Sequence, residues 1–432
     1  VRLLIGTLTL IAAFSTLLCP ACPAGDTAAV ILTEEEDVRQ PTGIVESHSQ
    51  SLQFPLTPER QEQLVSYARF VNRWRLVSFA LEVVILSAVL ISGFSARIRD
   101  WVQKVTSKRL LQYAIYLFLF MIVLFMVKLP IGYYRGFIIE HQYGFSNQNL
   151  GGWLSDRVLY YAVDYVIMLI VVVILYTLLE KTRRWWLYLA GAAFPFMVFM
   201  MIVYPTVIDP LFNEFKPVPD DKLRTAMTEL AEKAGIHDPD IYRIDTSKRS
   251  NKVNAYFVGI FGTKRIVLYD NMIDNFTLDE MRYVVGHEMG HYVKNHIWYG
   301  IFGFVLAVLF GGYIAHKTMP GFITKFKNRL GFEKPADIAG YPLLLLFVAF
   351  FSFFTQPIWN AVSRQMEYAC DRYGMEIADI DGAVAQSTFE KLSAFNLSDP
   401  NPSAIIEFWF YDHPSLNKRI EHAYKVYEDL NQ

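Results

Sequence analysis

Six stretches of about 20 mostly apolar residues constrain this 432-residue chain more than any other feature. They are Leu76–Phe94, Leu110–Leu129, Val158–Leu179, Trp185–Tyr204, Ile297–His316 and Tyr341–Ile358. Each is long enough to cross a bilayer as a helix, and together they contain three charged residues, Glu82, Lys128 and Asp164. In lipid only a helix satisfies its own backbone groups within one segment, so the stretches are read as six transmembrane helices. The chain as a whole is only 19% charged, yet the residues outside the six stretches carry about 25%, the soluble average. The expected fold class is therefore mostly α: a polytopic helical membrane protein with an ordinary soluble part. Forty Lys+Arg against 42 Asp+Glu exclude the one-sided field of a nucleic-acid binder. Three cysteines cannot form a disulfide framework.

Ahead of the spans, Arg2, the apolar run Leu3–Leu18 and a small-residue segment read as a signal peptide or anchor over 1–24. A polar linker over 25–55 follows. The spans then divide the chain into a four-helix membrane part with its loops (56–204), a soluble segment (205–296), two more spans (297–358) and a C-terminal soluble segment (359–432). The segments 95–109, 180–184 and 317–340 hold 13 basic residues in 44, while the opposite loop 130–157 holds only Arg135 and Arg157. By the positive-inside rule the three basic segments face the cytoplasm, so both soluble segments lie outside it. Arg73 and Arg75, just before the first span, run against the rule. The expected location is the inner membrane of a bacterium, with the lipid bilayer as one partner. Nothing in the sequence demands an oligomer.

The soluble segments mix periods. Asp221–Ala234 has helical spacing, Val253–Gly259 and Arg265–Tyr269 read as paired strands, and Asn275–Asn295 is helical with the capping box Thr277-Leu-Asp-Glu280. On that helix lies His287-Glu288-Met289-Gly290-His291. Residues i and i+4 share a helix face, so His287 and His291 can hold one metal ion. Glu288 can act as general base and acid on a water beside it. An open zinc site needs a third protein ligand. The candidate is Glu367, in Ser363–Asp371, with Asp371 one turn on to accept the outer N–H of a ligating histidine. Cys370 is read as a packed residue.

These residues, together with Glu140–Phe145, Tyr204–Pro217, Asn254-Ala-Tyr256, Pro357, Asn360, Ser363, Arg364 and His413–Arg419, resemble the zinc endopeptidases of the CAAX prenyl protease 1 type over roughly residues 56–430. The resemblance implies a small α+β, zincin-like catalytic domain and one zinc ion held by His287, His291 and Glu367. It makes Glu288 and His413 catalytic, the latter stabilising the oxyanion. Asn254 and Ala255 would pair with the backbone of a peptide or protein substrate. Arg419 would anchor a carboxylate beside Asp371. The family's membrane helices enclose a water-filled chamber, which gives Glu82 and Asp164 an alternative to facing lipid. Two other readings use the same residues: a quality-control protease without prenyl preference, and a catalytically silent scaffold that keeps the metal for stability.

Overall fold

The structure is a computed structural model that describes residues 57–259 and 264–432; the expected signal or anchor and the linker lie outside the described residues. Among the described residues, six helical segments are long and apolar enough to cross a membrane, matching the six sequence stretches. They comprise α1 (Pro58–Ile91), α3 (Arg109–Tyr133) after the short α2 (Phe94–Val105), α4 (Leu150–Lys181), α5 (Trp185–Val203), and two longer helices described below. Helices α3 and α5 each pass into a π-helical turn, Tyr134–Ile139 and Tyr204–Ile208.

At one end of the bundle the three basic segments meet. Arg99 pairs with Asp337 and donates from Nη2 to the Gly331 carbonyl at 3.0 Å. Arg109 pairs with Glu180 at 2.7 Å, and Ser95 donates to the Ala339 carbonyl at 2.6 Å. At the other end, the 140–147 loop is tied to the soluble part. Asn147 donates to the Ser247 carbonyl at 2.7 Å, Asn251 donates to the Gly144 carbonyl at 2.8 Å, and Ser146 bridges Ser250. Arg75, which ran against the charge pattern, is committed at this end too: Nη1 donates to the Phe410 carbonyl at 3.0 Å.

The soluble part carries a four-stranded sheet of β1 (Phe215–Pro217), β2 (Asp240–Ile244), β3 (Ala255–Val258) and β4 (Arg265–Tyr269), in the order β1-β2-β4-β3. β2 and β4 run parallel, connected through the hairpin partner β3, which lies antiparallel to β4 with Ala255 opposite Leu268. Helix α6 (Asp221–Lys233) buries Leu223, Met227, Leu230 and Ala231, the face its spacing predicts. After the short α7 (Asp270–Asn275) comes α8 (Leu278–Val293). Its capping box is complete: Glu280 N–H donates to Thr277 Oγ1 and Thr277 N–H to Glu280 Oε2. Phe276 is extended, so the helix starts three residues later than Asn275; the cap, rather than the apolar period, sets its first residue.

Asn295, in the left-handed region at φ 60°, then turns the chain into α9 (His296–Leu330). After α9 the chain returns through α10 (Tyr341–Ala378), α11 (Gly382–Asn396), α12 (Ala404–Phe410) and α13 (Leu416–Leu430). Helix α10 is 38 residues, about 57 Å. Its first half is a membrane span and its second half packs on α8, so one rod joins the two layers.

The α8–α10 crossing is very close. A Cβ on Gly374 would lie 2.9 Å from the His287 nitrogen, and one on Gly286 would lie 3.0 Å from Ile377 Cγ2 and 3.3 Å from the Gly374 Cα. Two glycines thus let the helices approach within what a methyl group would prevent. Gly374→Ala is expected to destabilise by about 1–3 kcal/mol through overpacking. Gly321→Ala in α9, where a Cβ meets nothing within 4 Å, should leave the melting temperature unchanged or slightly higher. Equal melting of the two variants would show that the crossing is not tight.

Candidate metal centre

Helix α8 presents His287 and His291 on one face, and α10 brings Glu367 up against them. His287 Nε2 lies 3.2 Å from Glu367 Oε2, His291 Nε2 lies 3.3 Å from Glu367 Oε1, and the two Nε2 atoms are 3.3 Å apart. Atoms at three corners of a tetrahedron, each 2.0–2.1 Å from a central ion, stand about 3.3–3.4 Å apart. The two imidazole nitrogens have that spacing, each stands at it from one oxygen of Glu367, and one ligand atom from each of the three residues lies within 4.8 Å of the others. All three are buried. Glu367 Oε2 makes no hydrogen bond of proper geometry, although the imidazoles of His287 and His413 come within 3.2 and 3.1 Å of it. A buried carboxylate oxygen in that state fits a cation.

The surrounding charges point the same way. Asp371, fully buried one turn after Glu367, accepts from His287 Nδ1 at 2.8 Å. Arg419, from α13, donates from Nε to Asp371 Oδ2 at 2.9 Å, and its Nη2 is paired with the other oxygen. The guanidinium also lies over the Phe389 ring at 4.5 Å. Two buried carboxylates thus share one buried guanidinium, so a second positive charge, either a proton on His287 or a metal ion in its place, is favoured beside them. Burial alone would lower the pKa of His287, but the hydrogen bond to Asp371 and the Glu367 carboxylate beside the ring outweigh this and raise it to about 9. At His291 burial prevails and the pKa falls.

A cavity of about 1400 Å³ opens onto this cluster and runs up between the membrane helices. Glu288, half-buried, lines it, as do Asn254 and His413. Inside the membrane layer it is lined by Glu82, paired with Lys128, and by Asp164, so the charges that would be costly against lipid face this space. Asn254 directly precedes β3, the outermost strand on its side of the described sheet, and its carbonyl accepts from Tyr269 N–H at 3.1 Å. The Ala255 side chain is buried, so this residue can offer a partner only its backbone. His413 is reached by a tethered loop. Asn360 donates to the Trp409 carbonyl at 2.7 Å, and Arg364 to the carbonyls of Glu407 (3.1 Å) and Tyr411 (2.6 Å). His413 Nδ1 meets Asp412 Oδ1 at 2.8 Å.

Sequence reasoning missed His296, whose Nδ1 stands 3.1 Å from His291 Nδ1 and so occupies that ring's outer nitrogen. The usable signal was Asn295: asparagine tolerates the left-handed conformation, and a stop there folds the next histidine back onto the helix. Cys370, fully buried as expected of a packed residue, has its sulfur 3.4 Å from His296 Nδ1.

Comparison with known proteins places the chain in a family and a fold. Residues 217–426 match peptidase family M48, and residues 45–214 match the CAAX prenyl protease N-terminal region of five membrane helices. An uncharacterized metalloprotease of Bacillus subtilis, YhfN, is 32% identical over 360 residues, covering 83% of this chain and 84% of its own. CAAX prenyl protease 1 of Saccharomyces cerevisiae is 29% identical, covering 68% of each chain. The crystal structure of S. mikatae Ste24p superposes with a TM-score of 0.74 at 24% identity, covering 88% of this chain and 92% of that one, which shows a shared fold.

The raised pKa of His287 has a consequence for metal loading. A ring must shed its proton before a metal can take its place, so below about 9 the proton competes. Metal affinity is expected to fall about tenfold for each pH unit lowered through the neutral range. Zinc titration of metal-free protein checks this, and a pH-independent affinity would contradict the Asp371–His287 pairing.

Proposed function

The chain belongs to peptidase family M48, and from that premise we propose that it is a zinc-dependent endopeptidase of a bacterial cytoplasmic membrane, cleaving peptides that enter the cavity from outside the cytoplasm. The observation that carries this reading is the 3.2–3.3 Å spacing of His287, His291 and Glu367 beside the cavity-lining Glu288. Zinc held by these three residues would supply a Lewis acid and a more acidic water. Glu288 would take the proton from the attacking water and hand it to the leaving amine. His413 would donate from Nε2 to the oxygen of the tetrahedral intermediate, its other nitrogen held by Asp412. Asp371 fixes the His287 tautomer through Nδ1, and Arg419 holds Asp371 in turn. The backbone at Asn254 and Ala255 would add the substrate as a further strand on the sheet edge.

The names of several relatives refer to CAAX prenyl proteases. The position of the basic segments favours a second reading of the substrate. Those segments gather at the end of the bundle opposite the loop bound to the soluble part, which supports an extracytoplasmic active site. Peptides and damaged envelope proteins are the substrates found on that side, and a prenyl group would then be dispensable.

In a peptide-cleavage assay, Glu288→Gln should keep its zinc and lose turnover by about 10²-fold or more. Residual cleavage at the wild-type rate would rule out the assigned base. With wild-type protein, matched prenylated and unprenylated peptides should be cut at similar rates; cleavage confined to the prenylated one would return the substrate to the CAAX class. Reporter fusions test the orientation separately. A phosphatase active only outside the cytoplasm should be active at the C-terminus and silent in the 317–340 loop, and the reverse pattern would overturn the extracytoplasmic placement.

A further inference from the structure

Behind the ligand set already described lies a second cluster of metal-binding groups. His291, His296 and Cys370 are all buried, and one ligand atom from each lies within 4.8 Å of the others. The distances are specific. His291 Nδ1 and His296 Nδ1 are 3.1 Å apart, and His296 Nδ1 and Cys370 Sγ are 3.4 Å apart. A tetrahedral ion with Zn–N near 2.0–2.1 Å and Zn–S near 2.3 Å sets its N···N and N···S edges at about 3.3 and 3.6 Å. The two edges at His296 lie within a few tenths of an ångström of those values, and the third, between His291 and Cys370, has both ligand atoms within 4.8 Å of each other.

Hydrogen bonding leaves this cluster one acceptor short. With His291 bound to a metal through Nε2, its Nδ1 carries a proton and points at His296 Nδ1. The Cys370 thiol also meets that same nitrogen. Two donors thus compete for one lone pair in a buried place, which is an unfavourable arrangement for neutral groups. An ion would replace both protons and satisfy all three ligands. A thiolate with two imidazoles is a soft donor set that suits zinc rather than calcium or magnesium. His296 lines the cavity, which provides a route in.

We propose that His291, His296 and Cys370 form a second, inhibitory zinc site that shares the His291 ring with the catalytic one. The proposal rests on the assignment of His291 Nε2 to the first ion. Binding of the second ion sends the Cys370 thiol proton and the His291 Nδ1 proton to solvent. The ring then donates to two ions at once, and it also loses the His296 contact that holds its orientation. Both effects loosen the first ion, so excess zinc turns the enzyme down while the resting enzyme keeps one ion.

The full-length protein in detergent, equilibrated with excess zinc and freed of unbound metal, is compared with Cys370→Ala and Cys370→Ser. Metal analysis should find two zinc ions per wild-type chain and one in either variant. Cobalt-loaded wild type should show sulfur-to-cobalt charge-transfer absorption in the near ultraviolet, stronger than that of either variant. Cys19 and Cys22 are present in all three proteins, so the difference reports on Cys370 alone. Zinc inhibition of peptide cleavage should weaken about tenfold or more in the variants, with the uninhibited rate unchanged. One ion in the wild type, or a charge-transfer band as strong in the variants as in the wild type, overturns the second site and leaves the first standing. A wild type that binds no ion overturns both.

Discussion

The close contact of Gly286 on α8 with Gly374 on α10 governs the rest of the catalytic architecture. Two of the candidate ligands lie on the first helix and the third on the second, and the 3.2–3.3 Å separations of the histidines from Glu367 depend on how closely the two backbones approach. The same approach delivers Asp371 to the back of His287, where Arg419 completes the chain of contacts. Buried charges would be unstable at such a crossing if left singly. Here each has a partner, and the two carboxylates favour a positive charge on or beside His287.

The chain conceals different parts of this structure to different degrees. The spans are legible because length and apolarity alone identify them. His287 and His291 are legible because their spacing is local, and Thr277 with Glu280 marks the helix start for the same reason. Glu367 lies 76 residues after His291, with two membrane helices between, and only resemblance to a family connects them in advance. The glycine crossing is invisible in sequence, since neither Gly286 nor Gly374 differs from an ordinary helical glycine until the other is opposite it. His296 was hidden by a single residue, Asn295, whose left-handed conformation changes where the next side chain goes. Asn360 and Arg364 stood out in the sequence as parts of a pattern, but their task, holding the carbonyls of the segment that leads to His413, depends on a fold contact more than 40 residues away.

The polar content of the membrane layer follows from the same plan. Glu82, Lys128 and Asp164 would each be expensive against lipid, and all three line the internal cavity instead. A bundle built this way keeps its few charged side chains on the cavity and an apolar surface toward lipid. Peptide could reach the metal centre through that interior without passing through hydrocarbon.

Helix α10 adds a mechanical aspect. Its lipid-embedded half ends near Ile358, and Glu367 sits nine residues further along the same uninterrupted helix, about 14 Å beyond. Membrane helices adjust their tilt when bilayer thickness changes. A tilt of α10 is passed through the glycine crossing to α8, which belongs to no span. The candidate metal centre is thus carried on the end of a membrane helix, and its position over the bilayer follows the tilt of that helix.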